Sequence, residues 1–211
     1  MMKKFFVMAA MLCLLSSCYN DAPQQTAPAQ SSTISDIMAR RSIRAYKDTP
    51  VEKEKMDQIA LCGINAANGM NAQNWAVRLT SSPEFINGIT ALYVEDMKKD
   101  PRGAQMVQEP GFKNMFRNAP TVAFIATKNG ESLIDCGLLA GNMLLAAQSM
   151  GIGSVCLGGP VGFLNGPLAT DYLARLDIPD GYKIVLAIGF GYPDESPEAK
   201  PRDASKIRWV E

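Results

Sequence analysis

A layered domain, α/β or α+β, is what this sequence predicts, and three observations carry that expectation. Strand-like and helical patterns alternate along the chain. The apolar run from Thr121 to Thr127 reads as a strand buried on both faces. Ser132 to Met150 reads as the longest helix, apolar on most sides and ended by Gly151. A length of 211 residues suits one domain plus processing segments. A hydrophobic content of 47% is enough to bury a substantial core.

The chain opens on a targeting pattern. Lys3 and Lys4 precede an unbroken apolar run, Phe5 to Leu15, that is too short to cross a bilayer as a helix and fits a secretory segment. Leu15-Ser16-Ser17-Cys18 then resembles the lipobox of bacterial lipoproteins, in which cleavage precedes the cysteine and the cysteine carries lipid. The resemblance implies that residues 1–17 are removed and Cys18 is acylated, which places the protein outside the cytoplasm on the periplasmic or surface face of a membrane; the alternative is an ordinary signal peptide. Residues 18–32 are rich in Ala, Pro, Gln, Ser and Thr without apolar periodicity, and read as a flexible tether. Fully extended, it reaches roughly 45–50 Å.

The folded domain, 33–211, begins at Thr33-Ile34-Ser35-Asp36, which resembles a capping box. Ile34, Ile37, Met38 and Arg41 lie at helical spacing. A short strand follows around Arg44. Pro50 and Glu52 open a second helix with Met56, Ile59, Ala60, Gly63 and Ala67 on one face, fading at Asn68-Gly69. Ala76 to Thr80 reads as a strand. Ser82-Pro83 caps a helix lined by Phe85, Ile86, Ile89 and Leu92. Glu95 to Asn118 is polar and broken by prolines, so short mobile helical pieces are expected. Gly137 and Gly141, one turn apart on the long helix, leave room for another helix. Ser154 to Leu157 is a short strand running into Gly158-Gly159, a helix is expected around Leu168 to Leu176, and Lys183 to Ile188 is the last strand. Gly189 to Arg202 reads as an extended tail.

Composition excludes several chemistries. Lys plus Arg equals Asp plus Glu, 21 each, so nothing in the overall charge calls for nucleic acid. With no histidine, Ser-His-Asp and Cys-His catalysis and His-ligated metal sites are absent. No C-x-x-C pair is present, and Cys62, Cys136 and Cys156 sit in apolar patterns that suggest buried free thiols.

Against that neutral background Arg40-Arg41-Ser42-Ile43-Arg44 stands out. In an extended segment Ser42 and Arg44 share a face and Arg40 can join them. Such a cluster is either a phosphate cradle or a solvated basic turn.

Four patches, in order, make the domain resemble the FMN-dependent nitroreductase family. They are Arg40 to Arg44; Asn71-Ala72-Gln73-Asn74-Trp75, similar to an N-x-Q-P-W loop with Asn74 in the proline's place; Asp135 to Gly159; and Lys183 to Arg202. Together they span nearly the whole mature domain. The resemblance implies an α+β, three-layer fold with a central mixed, mainly antiparallel sheet flanked by helices, and a homodimer with the site at its interface. It implies bound FMN, with Arg40 and Ser42 on the phosphate, Arg202 closing over it, and Arg41 beside the cofactor. Arg44 and Asn71, with Gln73 in the same loop, would meet the pyrimidine end of the flavin, and Gly158 and Gly159 would let backbone approach the ring. Read without the resemblance, Arg202 is also an ordinary tail arginine, Asn71 a turn residue and Gly158-Gly159 a plain turn.

The implied function is an oxidoreductase in which FMN passes electrons from N5 to nitroaromatic or quinone-like acceptors, with no side-chain acid or base required. The alternatives are a non-catalytic flavin-binding lipoprotein, or a branch with other flavin chemistry such as flavin fragmentation or reductive dehalogenation. The family draws on NADH or NADPH. An exported protein lies away from those pools, so another donor, a membrane quinol or a redox partner, is expected. Glu95 to Asn118 is expected to act as a lid selecting the acceptor.

Overall fold

The computed structural model describes Ser32 to Val210. The targeting segment, Cys18 and all of the tether but Ser32 lie outside the described residues. Ser32 itself already belongs to the first helix, α1 (Ser32–Ala39). The chain continues through α2 (Lys53–Ile64), β1 (Trp75–Thr80), α3 (Pro83–Met97), α4 (Pro101–Val107) and β2 (Thr121–Lys128). It then forms α5 (Leu133–Ser149), β3 (Gly153–Leu157), α6 (Val161–Leu164), α7 (Thr170–Arg175) and β4 (Tyr182–Gly191).

The four strands lie in the order β1-β2-β4-β3, and each neighbouring pair is antiparallel. The expected mixed sheet is thus antiparallel throughout its four strands, and the parallel contact, Ser42 to Ser154, is an isolated bridge outside them. The central pair is buried on both faces because its side chains alternate between two apolar layers. Val122, Phe124, Ala126, Ile184 and Ala187 join one layer with Phe85, Ile86 and Ile89 of α3 and Leu164 of α6. Ala123, Ile125, Ile188 and Phe190 join the other with Met56 and Ile59 of α2 and Leu139 and Met143 of α5. Helices on both faces of a mainly antiparallel sheet give the expected three-layer α+β architecture.

Local chemistry explains the boundaries. The Ser82 hydroxyl accepts from the Phe85 N–H at 3.2 Å, and Pro83 occupies the first turn of α3. The Asp100 carboxylate accepts from the Gly103 N–H at 2.8 Å ahead of Pro101. Gly151, at φ 70°, ends α5.

Several expectations are corrected. Residues 42–46 form no regular strand, only two isolated bridges, Ser42 to Ser154 and Tyr46 to Pro193; the segment crosses the ends of β3 and β4 and so cannot run a ladder along either. β4 extends through Gly189 and Gly191, which the sequence reading placed in the tail. A Cβ on Gly189 would lie 2.7 Å from that of Ala119, and one on Gly191 would lie 2.7 Å from Tyr46 Cδ1 and 2.8 Å from Pro120 Cδ. These glycines are packing positions inside the sheet. The close helix approach is made at Gly63, whose Cβ would lie 2.5 Å from Met143 Cγ, while Gly137 and Gly141 face open space. The stretch after α4 is fastened at its far end: Met115 and Phe116 are core residues, and Lys113 pairs with Asp48 at 2.8 Å. Cys136 is buried, but Cys62 is half-buried and Cys156 exposed, because β3 is an edge strand.

Candidate functional site

The basic segment leaves α1 at Arg40, whose N–H donates to the Asp36 carbonyl at 2.9 Å. Arg40, Arg41 and Ser42 are half-buried and Arg44 is exposed. Ile43 and Tyr46 turn into the core, so the polar side chains between them are left at the surface. The Ile43 N–H donates to the Ser154 carbonyl of β3 at 3.0 Å. The Tyr46 hydroxyl donates to the Ile43 carbonyl at 2.5 Å. Burial first, then the Glu195 carboxylate, pushes the Tyr46 phenol well above its ordinary value, with Arg44 opposing. Arg44 donates to the Ser42 carbonyl at 3.1 Å. Arg41 folds back to the Met38 and Arg40 carbonyls at 2.7 and 2.8 Å. The Arg40 guanidinium lies near enough to Cys156 to lower its thiol pKa, against the larger upward effect of burial.

Gly158 and Gly159 follow β3 directly. A Cβ on either would meet nothing within 4 Å, so packing within this chain does not account for the glycine pair. Asn71 and Gln73 belong to the loop that enters β1. Because β1 runs antiparallel to β2 and β3 antiparallel to β4, that loop and the glycine pair lie at the same end of the sheet. They are separated across it by three strand spacings, about 14 Å. A ligand touching both must therefore be elongated and lie across the sheet's end.

The loop is held in an unusual shape. Met70, Asn71 and Gln73 have φ of 51°, 54° and 50°. Asparagine adopts this left-handed region readily, but methionine and glutamine do not. The Asn68 side chain accepts from the Gln73 N–H at 3.0 Å, and the Thr127 hydroxyl donates to the Asn74 carbonyl at 2.5 Å. These two contacts keep the loop in place, and the second ties it to the buried end of β2. Strain of this kind collects where a ligand is to be met by a pre-formed surface.

Arg202 is exposed, and its guanidinium donates to the Lys200 and Pro201 carbonyls at 3.1 and 3.4 Å. No contact among the described residues joins it to Arg40 or Ser42. The fold thus assembles Arg40, Ser42 and Arg44 at β3, sets Gly158 and Gly159 beyond them, and places Asn71 and Gln73 across the sheet.

The fold has counterparts among known proteins. The family model described as "Nitroreductase family" matches residues 37–192. The chain belongs to the nitroreductase family. Among relatives of this nitroreductase-family chain, an NADPH-flavin oxidoreductase of Vibrio harveyi is 28% identical over 173 residues, covering 82% of this chain and 70% of the relative. A nitroreductase with bound FMN from Desulfitobacterium hafniense DCB-2 is 27% identical with a TM-score of 0.78, covering 86% of this chain and all of that one. The FMN-bound nitroreductase of Bacteroides fragilis NCTC 9343 has the same TM-score at 23% identity and speaks for the fold alone.

The residues present fit FMN. Guanidinium groups and a hydroxyl at the start of β3 supply the charge and donors a phosphate requires, open backbone lies past the other end of that strand at the glycine pair, and a rigid amide-bearing loop stands across the sheet at the glycines' end. Sequence reasoning missed three supporting residues. Thr127 looked like the end of an apolar strand, and Asn68 like a helix exit. Glu195 stands 151 positions from Arg44, whose N–H it accepts, and no local pattern announces such a contact.

Proposed function

We propose that this nitroreductase-family chain is an FMN-dependent oxidoreductase acting on small acceptors such as nitroaromatics and quinones. The observation that carries the reading is the basic segment fastened to the start of β3, a strand whose far end runs into the open Gly158-Gly159 backbone, in a chain with relatives named as flavin oxidoreductases and nitroreductases. Arg40 and Ser42 hold the phosphate with Arg202 closing from the tail, Arg41 lies alongside, and Arg44, Asn71 and Gln73 address the pyrimidine end. When bound, FMN supplies the two-electron chemistry, usually as hydride transfer at N5. The chain's own residues bind it, orient it and place positive charge near the ring. The domain purified without added cofactor should absorb as a flavoprotein at about one flavin per chain. A colourless protein that takes up no added FMN would remove the reading.

We read the assembly as a homodimer. Ile37 and Met38 of α1 and Ile134 and Leu138 of α5 are exposed on helices that pack together, and Ile134 is 81% exposed. Trp209, in the tail, is 96% exposed. Apolar surface of this extent calls for cover, and a second copy supplies it, with the glycine-bearing face of α5 central. The Leu15-Ser16-Ser17-Cys18 pattern supports export and acylation at Cys18; intact mass of membrane-extracted protein should show a Cys18 start plus acyl mass, and cleavage elsewhere would remove the anchor.

A further inference from the structure

We propose that Glu195 is a positioning residue for the flavin site, acting through the backbone of Arg44; this rests on the FMN reading above. The segment that carries Arg40, Ser42 and Arg44 has no ladder to hold it, so its fastenings can be followed one by one. Three are main-chain bonds. Ile43 N–H donates to the Ser154 carbonyl at 3.0 Å, Asp194 N–H to the Ala45 carbonyl at 3.0 Å, and Lys47 N–H to the Tyr192 carbonyl at 2.9 Å. Two further N–H groups, those of Arg44 and Ala45, both donate to one carboxylate oxygen, Glu195 Oε1, the second at 3.2 Å.

The consequences follow from position. Ser154 fixes the segment before Arg44, and Tyr192 and Asp194 fix it after. Between those points the Glu195 carboxylate holds the Arg44 N–H, and so bears on where the Arg44 backbone lies and on the reach of the guanidinium toward the ring. Charge-assisted acceptance of two adjacent N–H groups by one oxygen is strong and short. Glu195 sits on the chain just past β4, so the arrangement also ties the cradle to a central strand of the sheet. With a methyl in its place, the Arg44 and Ala45 N–H groups lose their acceptor, and the Arg44 backbone loosens between the bonds that remain at Ile43 and at the Ala45 carbonyl until a ligand orders it. Each residue ordered at that moment weakens binding by about tenfold.

The test uses the flavin-free domain and FMN itself. In Glu195→Ala, amide exchange at Arg44 and Ala45 should speed up by about tenfold or more while exchange in β2 and β4 is unchanged. FMN affinity of the same variant should fall about ten- to a hundredfold. Glu195→Gln keeps an acceptor oxygen and should bind FMN within about threefold of the parent. In an Arg44→Ala background the further change to Glu195→Ala should cost about twofold or less, because the residue it positions is gone. Unchanged exchange at both amides, or a loss in affinity fully additive with Arg44→Ala, would overturn the proposal. A parent protein that binds no FMN would overturn the functional reading as well, and the exchange result would still report on the clamp.

Discussion

Met70 offers a direct measure of how much strain the Asn71 loop stores. Its side chain is 100% exposed and its backbone sits at φ 51°, ψ 23°. Glycine at this position removes no packing. It relieves a left-handed conformation that costs an ordinary residue roughly 1–2 kcal/mol, and it gives back about 0.5–1 kcal/mol through the freer unfolded chain. The expected net is about 0.5–1 kcal/mol of added stability. For a domain of this size that raises the midpoint of thermal unfolding by about 1–4 °C. Met70→Ala keeps the strain and removes the same exposed side chain, so it serves as the control and should stay within about 0.5 kcal/mol of the parent.

Flavin binding should move the other way. A glycine must be ordered when the loop meets its ligand, and FMN affinity should fall about two- to fivefold in Met70→Gly. Thermal unfolding of the flavin-free variants and FMN titration settle both halves. If Met70→Gly is no more stable than Met70→Ala, the loop carries no strain at this residue, and the argument from left-handed backbone to pre-formed binding surface fails.

Other substitutions test other joints. Arg40→Ala and Arg202→Ala should each weaken FMN binding by about ten- to a hundredfold through loss of a charge-assisted contact, with titration of the flavin-free variants as the measure and unchanged affinity in both as the refutation. Gly191→Ala should destabilise the domain by about 1–3 kcal/mol in urea unfolding, because the new methyl meets Tyr46 and Pro120 below van der Waals distance. Anaerobic stopped-flow mixing should show slow flavin reduction by NADH or NADPH and faster reduction by another donor; rapid saturable reduction by a nicotinamide would show that the donor preference carried in the relatives' names holds here.

The sequence made much of this fold readable, and the gaps have physical causes. β2 was legible because it buries a nearly continuous apolar run, and α5 because a long apolar run ended by a glycine belongs to one element. α3 was legible from Ser82-Pro83, a cap whose chemistry is local. β4 was read too short because Gly189 and Gly191 look like turn residues; their neighbours Ala119, Tyr46 and Pro120 are distant in sequence, and only the fold shows that a side chain has no room there. Cys156 looked buried because Ser154 to Leu157 is an apolar run, yet β3 is an edge strand and leaves it exposed. The basic segment was misread as structure: two isolated bridges and a carboxylate from a residue distant in sequence hold it, not a strand. Arg202 was legible only through family resemblance, and its contacts in the chain are with its own stretch.

The two halves of the candidate site solve different problems with different backbone. A phosphate is a compact charge of fixed shape, and the segment proposed to meet it is tied down by bonds to β3, to the residues just past β4 and to Glu195. A ring edge demands hydrogen bonds along a flat line, and the Asn71 loop proposed to supply them has strained residues held by Asn68 and Thr127. No hydrogen bond or ion pair among the described residues joins the two halves. What fixes their separation is the central pair β2 and β4, whose side chains Phe124, Ile125, Ala187 and Ile188 are fully buried. Interiors at this density deform little, so the span between the phosphate cradle and the ring-binding loop is a property of the core. If the proposed roles hold, the burden of cofactor fit falls on residues that never meet the cofactor.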